Sequence, residues 1–135
     1  MSVEQNKAAL RRIYEELYNN KDISRVPELV APDYYFGNNK GHDGYRQILA
    51  NWHTAFPDVH FTVDQVVGEG DWLAYRISVG GTFKGKFRGF EPTGKTFKLT
   101  GAFFSQFKDG KLFTSFGFAD NLGLYQQLGV KPEGW

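Results

Sequence analysis

The sequence predicts an α+β fold: three N-terminal helices packed against a curved antiparallel sheet that forms a cone open at one end. Two observations predict it. Apolar residues recur at helical spacing as far as Phe56, and from Val59 onward they alternate with polar ones. Gly- and Asp-containing turns punctuate the second half. A run of helices followed by a run of strands packs as segregated layers, not as alternating βαβ units. Strands curving around the helices would turn their aromatic faces inward.

The elements follow in order. Leu10, Ile13, Tyr14, Leu17 and Tyr18 share one helical face over Val3 to Tyr18, with Ser2 as the cap and Asn19 and Asn20 as the stop. Asp22 to Val30 reads as a short second helix bounded by Pro32, and Tyr34, Tyr35 and Phe36 as a brief strand. The stretch GHDGYRQILANWHTAFPD predicts a third helix capped by Asp43 and ended by Pro57. Its apolar stripe is Tyr45, Ile48, Leu49, Trp52 and Phe56. Val59, Phe61 and Val63 open the first long strand, and GEGD at Gly68 to Asp71 turns it into Trp72 to Val79. A further strand covers Thr96 to Phe107. The Asp109-Gly110 turn then leads into Lys111 to Ala119, and a short helix follows Asp120.

Composition narrows the function. The 135 residues fit one domain, 1–135, large enough to bury a core without staples. Cysteine is absent, which removes disulfides and thiolate metal sites. A net charge of +1, from 16 basic and 15 acidic residues spread along the chain, supplies no field for nucleic acid or an anionic membrane. The start, MSVEQNKAALRR, has no hydrophobic core, and no apolar run reaches the ~18 residues of a membrane span. The expected setting is a reducing cytoplasm. Aromatic residues make up 17% of the chain, more than a small core obviously needs, so some are candidates for a ligand site or a subunit interface.

Asp120 is the leading functional residue. It ends the Phe-studded run FTSFGFAD, and a carboxylate among rings is costly to bury unless it is hydrogen-bonded, neutralised or poised for proton transfer. If the last strand is regular, Thr114, Phe116, Phe118 and Asp120 share a face. The competing reading makes Asp120 the cap of the following helix, accepting from the amide of Gly123 or Leu124. His42, His53 and His60 lack metal-ligand spacing and read as solvent-facing; no metal site is expected. GxSxG is absent, so no serine hydrolase triad is supported. Lys84, Lys86 and Arg88 read as a solvated edge that discourages strand pairing.

Four segments carry a resemblance. GGTFKGKFRGFEPTGK at Gly80 to Lys95, FKDGK at Phe107 to Lys111, DNLGLYQQLG at Asp120 to Gly129 and AFPDVHFTVDQVVGEGDWLAYR at Ala55 to Arg76 resemble the SnoaL-like polyketide cyclases, or ester cyclases, of the nuclear transport factor two-like superfamily. The resemblance implies cofactor-independent intramolecular aldol closure of a ring on an aromatic polyketide, with Asp120 as general acid/base. It also implies dimers or higher homo-oligomers built on the open face of the sheet. Tyr14, Tyr18 and Trp52 are then expected to shape the substrate slot, with Phe36, Phe83, Phe104, Phe116 and Phe118 among the rings near the ligand. The chain departs from the family where many relatives carry His (Phe83), Arg (Gln106), Glu (Thr114) and Trp (Phe116). Those losses keep an alternative open: a non-catalytic binding module, natural or engineered, for a fused-ring or other apolar small molecule.

Overall fold

Ser2 starts the first helix as the sequence predicts. Its side chain accepts the Gln5 amide while Gln5 reaches back to the Ser2 amide, a complete capping box. In the computed structural model, which describes residues 2–134, α1 (Val3–Arg12) runs straight into a π-helical turn, Ile13–Asn19. The predicted second helix is shorter than Asp22 to Val30: a 3₁₀ turn, Ile23–Arg25, passes into α2 (Val26–Leu29). Strand β1 (Val30–Phe36) then takes Val30 and runs through Pro32. Pro32 is tolerated there because the neighbouring β2 (Asn39–Lys40) pairs only with Tyr35 and Phe36. Helix α3 (Gly41–Ala55) begins before the expected cap: Asp43 lies in its first turn, ion-paired to Arg46, and Lys40 at the cap position offers no side-chain bond.

The remaining strands match the alternation. They are β3 (His60–Glu69), β4 (Trp72–Thr82), β5 (Thr96–Lys108) and β6 (Lys111–Ala119), followed by α4 (Asn121–Leu128). Asp109 and Gly110 both adopt positive φ, 52° and 77°, the conformation that a two-residue hairpin turn demands. The six strands lie in the order β2-β1-β6-β5-β4-β3. Neighbours are antiparallel except β1 and β6, which run parallel because α3 and the whole meander separate them in sequence. Irregular register at Val63/Gln65 and at Gln106/Phe107 marks two bulges. Bulges bend and overtwist strands, and here they help curl the open sheet around the helices.

The concave face and the helices enclose the core. Leu10, Leu17, Leu49, Leu73, Leu124 and Leu128 are fully buried. At one end sits a cluster of rings centred on Phe56, whose centroid lies 4.7 to 5.8 Å from those of Trp52, Phe83, Phe87 and Phe97. Lys84, Lys86 and Arg88 are not a strand edge. They belong to a loop, 83–95, clamped by Phe83 and Lys95 and by the amides of Lys84 and Gly85 on the Ala55 carbonyl. Gly85 is required for that seat: a Cβ would stand 2.0 Å from the Thr54 carbonyl oxygen.

Candidate functional site

Between the helices and the concave face lies a cavity of about 290 Å³. The π-helical turn presents Tyr14 and Tyr18 to it, stacked at 5.0 Å; such turns recur at functional sites. α3 contributes Tyr45 and Trp52, β1 contributes Tyr34 and Phe36, and Phe61, Tyr75 and Phe103 come from successive strands. The ring of Phe103 forms the floor. A Cβ at Gly101 or at Gly117 would stand 2.6 Å from that ring, so both glycines are needed for it to lie against β6.

Hydroxyl groups thread this apolar space. Tyr14 donates to the Tyr75 hydroxyl at 3.5 Å, Tyr75 meets Ser105 at 2.7 Å, and Ser105 meets Ser115 at 2.7 Å. Ser105 is fully buried, and Tyr14, Tyr75 and Ser115 line the cavity. Beside them, Tyr45 donates to Tyr18 at 3.0 Å. Burial raises the pKa of Tyr14, Tyr18, Tyr34, Tyr45 and Tyr75 above the ordinary phenol value. They therefore stay neutral across the physiological range and act as hydrogen-bond donors.

These phenols also predict alkaline sensitivity. The folded chain holds their protons where the unfolded chain releases them, so their contribution is complete below about pH 10 and is lost as pH rises further. Urea unfolding between pH 8 and 12 should show stability falling steeply above pH 10. Constant stability to pH 11.5 would mean that the phenols are not held neutral.

Arg88 is the single charged residue in the lining; no carboxylate or imidazole joins it among the described residues. Its guanidinium donates to Asn121 Oδ1 at 3.3 Å and to the Tyr125 hydroxyl at 3.0 Å, 4.6 Å above the Phe87 ring. Asp120 is exposed and lies outside the lining, although its neighbours Ala119 and Asn121 are in it. Its carboxylate accepts the Gly123 amide at 2.8 Å and caps α4, so it does not look across rings.

The predicted ligand rings divide in two. Tyr14, Tyr18, Phe36 and Trp52 stand in the cavity wall. Phe83 does not; it is fully buried against Phe56. Phe104, Phe116 and Phe118 face outward from the sheet, with Phe118 85% exposed. The extra residue Phe113 in β6 resets the alternation after Leu112, so Ser115, Gly117 and Ala119 point inward and the Phe residues outward. His42 and His53 are half-buried rather than solvent-facing, each 2.8 to 2.9 Å from a backbone carbonyl oxygen, of Val30 and Tyr18 respectively. Sequence reasoning missed Tyr34, Tyr45, Phe61, Tyr75, Phe103, Ser115, Arg88 and Asn121. The alternation of Leu73, Tyr75, Ile77 and Val79 carried a usable signal for Tyr75. Nothing in the sequence brought Arg88 to α4.

The family model for the SnoaL-like polyketide cyclases matches residues 8–128. The chain belongs to that family. Solved structures of similar fold include TsrD from Streptomyces laurentii, at a TM-score of 0.90 and 24% identity over 97% of this chain and 99% of that one. IdmH from Streptomyces antibioticus, a candidate polyketide cyclase, is 29% identical over 93% and 99% with a TM-score of 0.78. AclR from Streptomyces galilaeus, a candidate hydroxylase, is 27% identical over 98% and 89% with a TM-score of 0.79. No curated protein matches the chain. Structures of near-equal similarity thus carry different reaction names, and the reaction must be argued from the cavity. Among the described residues of this SnoaL-like chain, no helix is long and apolar enough to cross a membrane.

Proposed function

We propose that the chain closes a ring on a flat, carbonyl-bearing polyketide by intramolecular aldol addition, with Asp120 moving the proton. One observation carries this reading: the hydroxyl chain Tyr14–Tyr75–Ser105–Ser115 opens into an aromatic cavity. Its volume of about 290 Å³ is at the lower end of ligand pockets, roughly 300–1,000 Å³. That suits a small fused-ring molecule. Neutral donors in such a site favour the enolate and the alkoxide, where charge develops, over the uncharged ketone.

The step balances within one molecule. A carbon between two carbonyls loses its proton to the carboxylate. The enolate carbon bonds to the ketone carbon, whose C=O π pair becomes an alkoxide, and the carboxylic acid returns the proton. Mass is conserved. Asp120 must leave Gly123 to take part, at the cost of one capping bond, about 1 kcal/mol.

The test uses an uncyclised anthraquinone β-keto ester, with chromatography and mass detection. The parent is expected to form a product of equal mass, and Asp120→Asn to form none, because an amide does not shuttle protons. Turnover at the parent level in the variant removes Asp120 from the mechanism. A second reading, a binding module for an apolar ring system, is favoured by the lack of any carboxylate in the lining and by the capped state of Asp120. Substrate bound but unchanged by both proteins would select it.

The outward rings fit an association surface. Trp72 on β4 meets Phe116 on β6 in a T-shaped contact at 6.0 Å, Phe104 on β5 lies tilted against Phe116 at 5.7 Å, and Phe118 stands beside them. We assign this face to a second copy of the chain, as an aromatic sheet face of this kind favours burial. Sedimentation reads it directly: a monomer at every concentration withdraws the assignment.

A further inference from the structure

Apart from Asp120 the proposed chemistry uses no charged group, yet the lining carries one charge among the described residues, the solvent-exposed Arg88 at the mouth of the cavity. Arg12, Arg25, Arg46 and Arg76 each hold a carboxylate. Arg88 pairs with none among the described residues; its partners are the neutral oxygens of Asn121 and Tyr125. A guanidinium keeps its charge at any working pH and presents a planar fork of donors. Here the fork is already oriented. The Phe87 ring lies beneath it at 4.6 Å, that of Tyr125 at 5.9 Å, and two hydrogen bonds set its position. The backbone takes positive φ at Arg88 (49°) and again at Gly89 (83°), a turn that a non-glycine residue adopts at a cost.

The neighbours of this group separate it from the hydroxyl chain. Arg88 touches Asn121, which follows the end of β6, while Ser115 sits within the strand. Ser115 and Ala119 alone are four residues apart, roughly 13 Å along an extended strand. A ligand whose carbonyls meet the hydroxyls therefore brings its opposite end to Arg88.

We propose that Arg88 anchors a carboxylate at the mouth end of the ligand, so that the cavity selects planar aromatic acids over their neutral esters. This rests on the reading of the cavity as the substrate site. A carboxylate accepts two parallel bonds from the fork, whereas an ester offers only a neutral carbonyl oxygen. Arg88 is exposed, so the pair forms in contact with solvent and draws its strength from the two-point geometry of a fork held over the Phe87 ring. Asn121 and Tyr125 supply a polar rim, and the adjoining Asp120 carboxylate is engaged by the Gly123 amide.

The experiment is calorimetric titration with anthraquinone-2-carboxylate and with its methyl ester, for the parent, R88Q and R88K. The parent is expected to bind the acid at least tenfold more tightly, with the preference shrinking as ionic strength rises. R88Q should bind acid and ester within twofold of each other, and R88K should keep a partial preference. Equal binding of the two probes by the parent, or a preference that survives R88Q, overturns the anchor. If R88Q also weakens the ester, R88K decides: a retained preference supports the anchor and parity overturns it. The two failures are distinguishable. Ester binding without acid preference overturns the anchor and leaves the cavity reading standing, whereas no binding of either probe overturns both.

Discussion

Phe56→Ala is expected to lower stability by about 3–5 kcal/mol, the range for truncating a buried phenylalanine. Against a typical total of ~5–15 kcal/mol, that is a large fraction. Phe56 is fully buried and touches rings from α3, β5 and the 83–95 loop. Its amide also closes α3 on the Trp52 carbonyl, and its own carbonyl takes the Val59 amide at the turn into β3. Removing the ring leaves a hole that rigid neighbours on three elements cannot fill, so the cavity penalty adds to the lost transfer energy. The melting temperature should fall by roughly 10–20 °C. The damage should also reach the site, since the loop bearing Arg88 hangs from the Ala55 carbonyl next door and Trp52 lines the cavity. Ligand affinity, measured well below the melting point, should drop with it. A loss under 1 kcal/mol in urea unfolding would show that the ring cluster does not hold that end of the cone together.

The strands of the second half were readable because their signals are local. Alternation around Phe61 and around Tyr75, with Gly70 and the Asp109-Gly110 pair at positive φ, needs no tertiary information. The start of α3 was not readable, since Lys40 at its cap makes no side-chain bond, and Asp43 one turn later looks like a cap without serving as one. The faces of β6 failed for a different reason. The rule that large apolar residues point inward presumes a filled core, but a strand bordering a cavity puts Ser115, Gly117 and Ala119 inside and its Phe rings outside. The extra residue at Phe113 then removes any chance of fixing the face by counting from Leu112. Asp120 was legible as either an acid or a cap, and the geometry displays the cap. Gly123 is part of that arrangement, as a Cβ there would stand 2.3 Å from the carboxylate. Arg88 depended entirely on a long-range contact, between a loop and a helix 33 residues later.

Among the cavity hydroxyls, Tyr75→Phe carries the largest expected effect on turnover. The phenol hydroxyl joins Tyr14 to the Ser105–Ser115 pair, and its removal splits the chain of hydroxyls in two. The fold should tolerate the change at a cost of about 0.5–1.5 kcal/mol, because the ring, stacked on Phe103 at 5.9 Å, stays in place and Ser105 keeps Ser115 as a partner. Turnover should fall about 10²-fold, the lower end for losing one donor that supports a developing oxyanion. The loss should appear in kcat with KM nearly unchanged, as expected of an interaction that strengthens only when charge develops. A merely structural role would give the reverse pattern: lower stability, a raised KM and little change in kcat. Comparison with Ser115→Ala locates the oxyanion further, since Ser115 is the far terminus of the same chain and lines the cavity itself. Equal losses in the two variants, with no additional loss when they are combined, would mean that the hydroxyls act as one unit. A kcat within threefold of the parent for Tyr75→Phe would place the reacting carbonyl elsewhere in the cavity and leave the chain of hydroxyls a packing feature of the sheet.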